Sequence, residues 1–479
     1  MKTRLIATLL AACTLASIAA GCGGSEAPAE SSSAAPESSE AEAPASSEAE
    51  TPAAGGTYSG TTKYPEGKFV FYGYGQPQFM LEQYQLWFDM HKEATEGVEI
   101  EMIQCEGGED ARKKVTLTYQ SGAMDEMPDV VQTATAQMMD MAKNGILMDV
   151  TDFLQPLEPE MLDGVTGDVQ YDGKMYALPD SFRPQLLFYN QEIFDQYEID
   201  PAQMDTMEGY IEVGRQLKEK SGGKGYLSFA SPSQKTWAYW GRRGLWPQAK
   251  ARIWDDEGNV VFGSDEGTKL AASTLDTLFK EDLLLRSQVM QPPLYDSIRN
   301  GEVATFYIGA FWDEFIRKNT PEIAGKWRMM TAPKYEDIGL RGAPVTGMMA
   351  IVNKPDAKYA DLFKDIWYDY MFTAEYRNQH AQNMADEDGP CWNPISKALS
   401  EDPFWKSPDP FYGDQSFKEM ETVGLKDAAP NMVVTSSDAE ADTIISDELD
   451  RYIAGDQDMD TTIKNIDEQL KAKIGTAKN

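Results

Sequence analysis

The chain has 479 residues, with 78 acidic against 43 basic side chains and a net charge of −35 at neutral pH. That balance argues against nucleic acid or an anionic surface as partner. Two histidines, His91 and His380, and four cysteines leave little material for a zinc site or a histidine triad.

The first residues read as an export signal. Met1-Lys2-Thr3-Arg4 is a small cationic head, and Leu5 to Ala20 is apolar. The run is shorter than the roughly 20 residues a membrane span needs. Ala19-Ala20-Gly21-Cys22 has the order of a bacterial lipobox, so residues 1–21 are expected to be removed and Cys22 to carry lipid. The other reading is an ordinary secretory peptide with an incidental cysteine. Ser25 to Ala54 holds almost only Ser, Ala, Glu, Pro and Thr. Such a stretch cannot bury enough apolar area to offset its ordering entropy. Residues 22–65 are therefore expected to form an extended tether. It carries seven glutamates, so most of the negative charge belongs to the globular part of the chain.

From Tyr64 the composition is globular, and more than 400 residues call for at least two lobes. Lys68–Tyr72 reads as a strand ended by Gly73-Tyr74-Gly75-Gln76-Pro77. A helix comes next over about 80–94, then a strand over Val98–Ile103, a helix over Arg112–Gly122, a strand over Met127–Gln132 and a helix over Gln137–Asn144. This β-α-β-α-β order predicts a mostly parallel sheet with helices on both faces. Ligands bind beyond the carboxyl ends of such strands. Tyr74 and Gln76, then Thr133, Thr135 and Gln137, fall at that edge. Cys105 and Cys391 are expected to be unpaired thiols, although their separation allows a disulfide.

Further along, Met127-Pro-Asp-Val-Val, Tyr171-Asp-Gly-Lys-Met-Tyr-Ala-Leu-Pro179, Leu187-Phe-Tyr-Asn190, Asn300-Gly-Glu-Val-Ala to Trp312, and Thr346-Gly347 occur in one order. Together they resemble the family 1 extracellular solute-binding proteins of ABC importers, the maltose-binding-protein-like group. The resemblance covers nearly all of residues 66–475. It implies an α/β, two-lobed periplasmic-binding-protein-like fold of type II, each lobe a mostly parallel sheet flanked by helices. Residues 66–180 and 347–390 would form one lobe, and 181–346 and 391–479 the other. It also implies a ligand cleft between lobes that hinge shut, a membrane permease as partner, no cofactor and a monomer.

Sugars suit aromatic faces and planar polar groups, and the chain has ten tryptophans. Trp312 matches a tryptophan that stacks on sugar in the family. Trp237, Trp240 and Trp392 fall on expected loops, while Trp254, Trp367 and Trp405 read as core. Asp180 to Gln185 comes directly after the Tyr-Ala-Leu-Pro strand. Arg183 stands where maltose-binding members carry a ligand-binding glutamate, so it either grips a ligand or forms a hinge salt bridge. Thr133 replaces a stacking tryptophan of those members, which counts against a maltodextrin. The expected ligand is a carbohydrate. A polyamine or peptide receptor and a secreted glycosidase are the competing readings; a glycosidase would need two carboxylates flanking the cleft, and no pair stands out.

Overall fold

The computed structural model describes residues 57–75, 77–232, 235–386 and 392–477. The readings that fall on Cys22, Gln76, Cys391 and the signal and tether residues before 57 lie outside the described residues.

The opening run folds in the expected order: β1 (Gly67–Gly73), α1 (Pro77–Met90), β2 (Val98–Gln104), α2 (Gly108–Ser121), β3 (Val130–Thr133) and α3 (Thr135–Lys143). Alternation explains β1, where Phe69, Phe71 and Gly73 turn to the core. Helical spacing explains α1, which buries Phe79, Met80, Tyr84 and Trp87. Gly122, at φ 78°, ends α2 in the left-handed conformation that favours glycine. β3 starts three residues later than its apolar run suggests. A turn of 3₁₀ helix occupies Met124–Glu126, and Pro128 has no N–H for a sheet ladder.

β1 pairs in parallel with β2 and with β3. Two later strands complete this five-stranded sheet: β4 (Leu178–Arg183) and, after β5 (Gln185–Asn190), β6 (Thr305–Gly309) and β7 (Trp327–Thr331), the returning β8 (Val345–Ile351). β8 lies between β3 and β4 and runs antiparallel to both. At Gly347 an added Cβ would fall 2.2 Å from Asp180 Oδ1, so only glycine lets the two strands approach there.

Pro184 carries the chain from this sheet to a second, in which β5 is flanked by β6 and β7. All of its pairing is antiparallel, while Ser228–Ala230 and Leu284–Arg286 in the same lobe pair in parallel, so the second lobe is mixed where a mostly parallel sheet was expected and the α/β class stands. The reason is local. β5 buries Leu186, Leu187 and Phe188 in a row, and a continuous apolar run specifies burial on both faces but not strand direction.

One hydrophobic core gathers residues between Tyr64 and Phe182 with others between Met348 and Ile395. Two more gather around the second sheet and reach Ala477. Among the described residues no helix is long and apolar enough to cross a membrane.

The tether reading needs correction at its end. Tyr58 stacks on Tyr368 at 3.9 Å, and the Ser59 N–H and hydroxyl donate to Asp365 at 2.7 and 2.5 Å. The Tyr64 hydroxyl donates to the same carboxylate. Residues 57–64 thus belong to the folded body, because two tyrosines supply the apolar surface that Ser25 to Ala54 lacks.

Candidate functional site

Two cavities open between the lobes. The larger, about 840 Å³, is walled on the first lobe by Glu109, Arg112 and Lys113 of α2 and by Gln137 and Asp140 of α3. Its second-lobe wall comes from Lys235 to Arg243 and from Ser436 to Ser446. The smaller, about 600 Å³, is lined by Thr135, Met139, Asp168 and Phe182, and by the segment Leu425–Val434. That segment spans the lobes: Leu425 and Val434 pack on the first core, and Met432 belongs to the second.

Helix geometry aims the second-lobe wall. Trp237–Leu245 is wound as a π-helix, broken at Gly244 (φ −101°, ψ −105°). Its period buries Trp237, Trp240, Gly241, Gly244 and Leu245 and leaves Ala238, Tyr239, Arg242 and Arg243 on the opposite side. Such wide turns recur at functional sites.

The charges in the larger cavity are held in place. Arg112 donates to Asp140 and to Glu109, each at 2.6 Å. Arg242 donates to the fully buried Asp438 and lies 3.5 Å from Asp442. Burial opposes the charge on Arg242, but Asp442 and Asp438 outweigh it and hold its pKa above the ordinary value. Burial pushes Asp442 upward and Arg243 downward. Arg243 donates to Asn431 at 2.5 Å and lies 3.8 Å from Asp168 of the first lobe. Asn431 donates to Asp168 at 2.7 Å. This bridge joins the lobes, with Asp168 and Asn431 in the wall of the smaller cavity and Arg243 in that of the larger.

The expected site residues divide. Gln137 and Trp237 line the larger cavity and Thr135 the smaller. The Trp237 indole N–H donates to Asp442 at 2.7 Å. Tyr74 is half-buried, with its ring over Gly108, one residue before the cavity-lining Glu109. The others lie apart from both cavities. Trp312 has no exposed surface: its ring stacks on Phe306 at 4.9 Å and on Tyr295 at 6.1 Å. The expectation of a sugar-stacking ring there is corrected to a core position. Trp240 is likewise core, its indole donating to the Phe229 carbonyl at 2.8 Å. Thr133 is buried opposite Met348 in the sheet, and Gln185 is buried opposite Gly309. Trp392 packs on Phe79 with tilted rings 4.2 Å apart and donates to Glu314 of the other lobe.

Arg183 takes the hinge role. It donates to Glu421 at 2.8 Å, to Glu314 at 2.5 Å and to the Ala310 carbonyl at 3.0 Å. All three side chains are buried at the point where β4 crosses to β5.

Asp180 is buried beside this crossing, and desolvation pushes its carboxyl up to about 6. Ser181 donates to it at 3.0 Å. A carboxyl with a raised folded pKa binds more protons folded than unfolded, so it removes stability as pH rises from about 4 to about 6. The shift corresponds to roughly 3 kcal/mol. Asp180→Asn should therefore gain on wild type across that window and hold a constant difference above it. Denaturant unfolding at a series of pH values checks this; a difference independent of pH would refute it.

Sequence reading missed Arg112, Asp168, Arg242, Arg243, Asn431 and Asp442. The signal for Arg242 and Arg243 was present, since apolar residues at 237, 240, 241, 244 and 245 leave them on the far face. Nothing local marked Asp168 or Asn431, which meet across 263 positions. Among the described residues no cluster of three metal-ligating side chains occurs.

Two α/β lobes joined by crossing strands around a shared cavity define a solute-binding architecture. The chain belongs to the bacterial extracellular solute-binding protein family, whose model matches residues 87–409. It is similar to an arabinooligosaccharide-binding protein of Halalkalibacterium halodurans, 23% identical over 56% of this chain and 58% of that one. That match spans little more than half of the relative. A lactose-binding protein of Rhizobium radiobacter is 22% identical over 76% of this chain and 83% of its own. Among solved structures, the ABC transporter associated binding protein from B. animalis subsp. lactis Bl-04, in complex with beta-1,6-galactobiose, superposes with a TM-score of 0.69. It is 19% identical and covers 86% of this chain and 99% of its own.

Proposed function

We propose that this chain is a lipid-anchored, extracytoplasmic receptor of an ABC importer that binds an oligosaccharide between its lobes and presents it to the permease. The observation that carries this is the larger cavity, whose walls come from both lobes and hold planar polar groups beside an indole. Its volume lies within the usual range for small-molecule sites, about 300–1,000 Å³. Arginine–carboxylate pairs fixed before binding give directional donors and acceptors without ordering cost. The relatives named for arabinooligosaccharides and lactose, and the galactobiose complex, support a short saccharide. The wall is balanced in charge, with Arg112, Lys113, Lys235, Arg242 and Arg243 beside Glu109, Asp140, Glu440 and Asp442, and lacks the excess of carboxylates that a polyamine calls for. Binding drives closure only as far as the sugar prefers the closed form.

A thermal-shift panel of saccharides, polyamines and peptides tests the reading, because a ligand of the folded state raises the midpoint. A saccharide should raise it and be recovered intact. A response to polyamines alone, or stoichiometric excess of cleaved sugar, would replace it. The anchor is tested separately. Cys22→Ala should leave the protein unprocessed or released into the medium; equal membrane retention would contradict the lipid anchor.

A further inference from the structure

Asp168 is a buried carboxylate of the first lobe, 5% exposed, most of whose partners belong to the second. It lies between Val165 and Val169 of the first core. Three polar groups converge on one of its oxygens. Thr346 at the start of β8 donates at 2.7 Å, Asn431 donates at 2.7 Å, and the Arg243 guanidinium lies 3.8 Å away. Asn431 adjoins Met432, and Arg243 lies between Trp240 and Leu245, all of the second core.

The guanidinium is positioned for this contact. The π-helix breaks at Gly244, directly after it, and the Arg243 carbonyl accepts the Ala343 N–H at 2.7 Å. Its side chain donates to the Pro344 carbonyl at 3.2 Å and to Asn431 at 2.5 Å. Burial opposes its charge, and Asp168 offsets that more than any other group. Further from the crossing strands, Lys143 of α3 donates to Ser436 at 3.2 Å.

A bridge made wholly of protein groups needs no solute to form. We infer that Asp168, Asn431 and Arg243 are a latch that keeps the lobes together before solute arrives. A rotation about the crossing strands carries Asp168 away from Asn431 and Arg243 and leaves it with Thr346. Charge-assisted hydrogen bonds are roughly twice as strong as neutral ones, so the latch favours the closed form. Solute then enters only through the open fraction, and part of the closure that it would otherwise have to drive is already in place.

Small-angle X-ray scattering of the solute-free protein tests this on wild type, Asn431→Asp, Asn431→Ala, and the exchange of Asp168→Asn with Asn431→Asp. Asn431→Asp sets two carboxylates against each other, and their repulsion should part the lobes. The closed-to-open ratio should fall about tenfold or more, read as a larger radius of gyration. Asn431→Ala, which removes the bond without adding charge, should shift the radius in the same direction. The exchange returns one carboxylate and one amide to the bridge with their places reversed, and should restore the wild-type radius. An unchanged radius in both single variants, or a radius that stays enlarged in the exchange, overturns the inference. No solute is used, so either result leaves the carbohydrate reading where it stands.

Discussion

Arg183→Met should cost the folded protein about 3–5 kcal/mol at neutral pH, the usual penalty for removing one partner of a buried ion pair. Arg183 neutralises two buried carboxylates, on α4 (Trp312–Asn319) and on α5 (Phe417–Gly424), which contribute Glu314 and Glu421. Burial already pushes both carboxyls upward, and Arg183 opposes that push. Without the guanidinium they should rise further and take up protons. A raised folded pKa means stability lost as pH climbs, so the variant should recover relative to wild type on acidification from pH 7 to pH 5. Glu314→Gln and Glu421→Gln, added together to Arg183→Met, should restore much of the loss at pH 7. Urea unfolding at both pH values checks the set. A pH-independent deficit would mean that the arginine acts by packing on Trp392 and Phe417, whose ring centres lie 5.9 Å away.

Trp312→Ala should cost a similar amount, about 3–5 kcal/mol, through the cavity it leaves. The indole is enclosed by Phe229, Tyr295, Phe306 and Phe315, with ring centres 4.9–6.4 Å from its own. Solute affinity per folded molecule should stay near wild type, because the ring lines neither cavity. Trp312→Phe should cost much less, since it keeps the aromatic contacts and removes an indole N–H that has no partner among the described residues. Unfolding curves and titrations on the same preparations separate the outcomes. A stable Trp312→Ala protein with weakened binding would return the ring to the ligand.

The order of strands and helices along the first lobe's opening run was legible because β1, β2 and the helices after them carry clean periods of 2 and 3.6. Strand direction in the second lobe was not, because Leu186, Leu187 and Phe188 show burial without polarity. Trp312 illustrates the limit of composition. A large amphipathic ring serves equally as core or as sugar platform, and only its neighbours decide. Arg183 could be narrowed to two roles from its place after Pro179, and Glu314 and Glu421, 131 and 238 positions away, selected the hinge. The bridge of Asp168, Asn431 and Arg243 was out of reach for the same reason: its residues meet only once both lobes are built.

A single saccharide held by both lobes in the larger cavity is the core of the proposed function. Calorimetric titration of the best saccharide into wild type, Gln137→Trp and Ala238→Trp tests it directly. Gln137 belongs to the first lobe and Ala238 to the second, and both positions reach solvent at the cavity wall. Either bulky ring should fill shared space and weaken binding at least tenfold, with the ligand-free melting temperature unchanged. Wild-type affinity in both variants would place the sugar elsewhere and contradict the account.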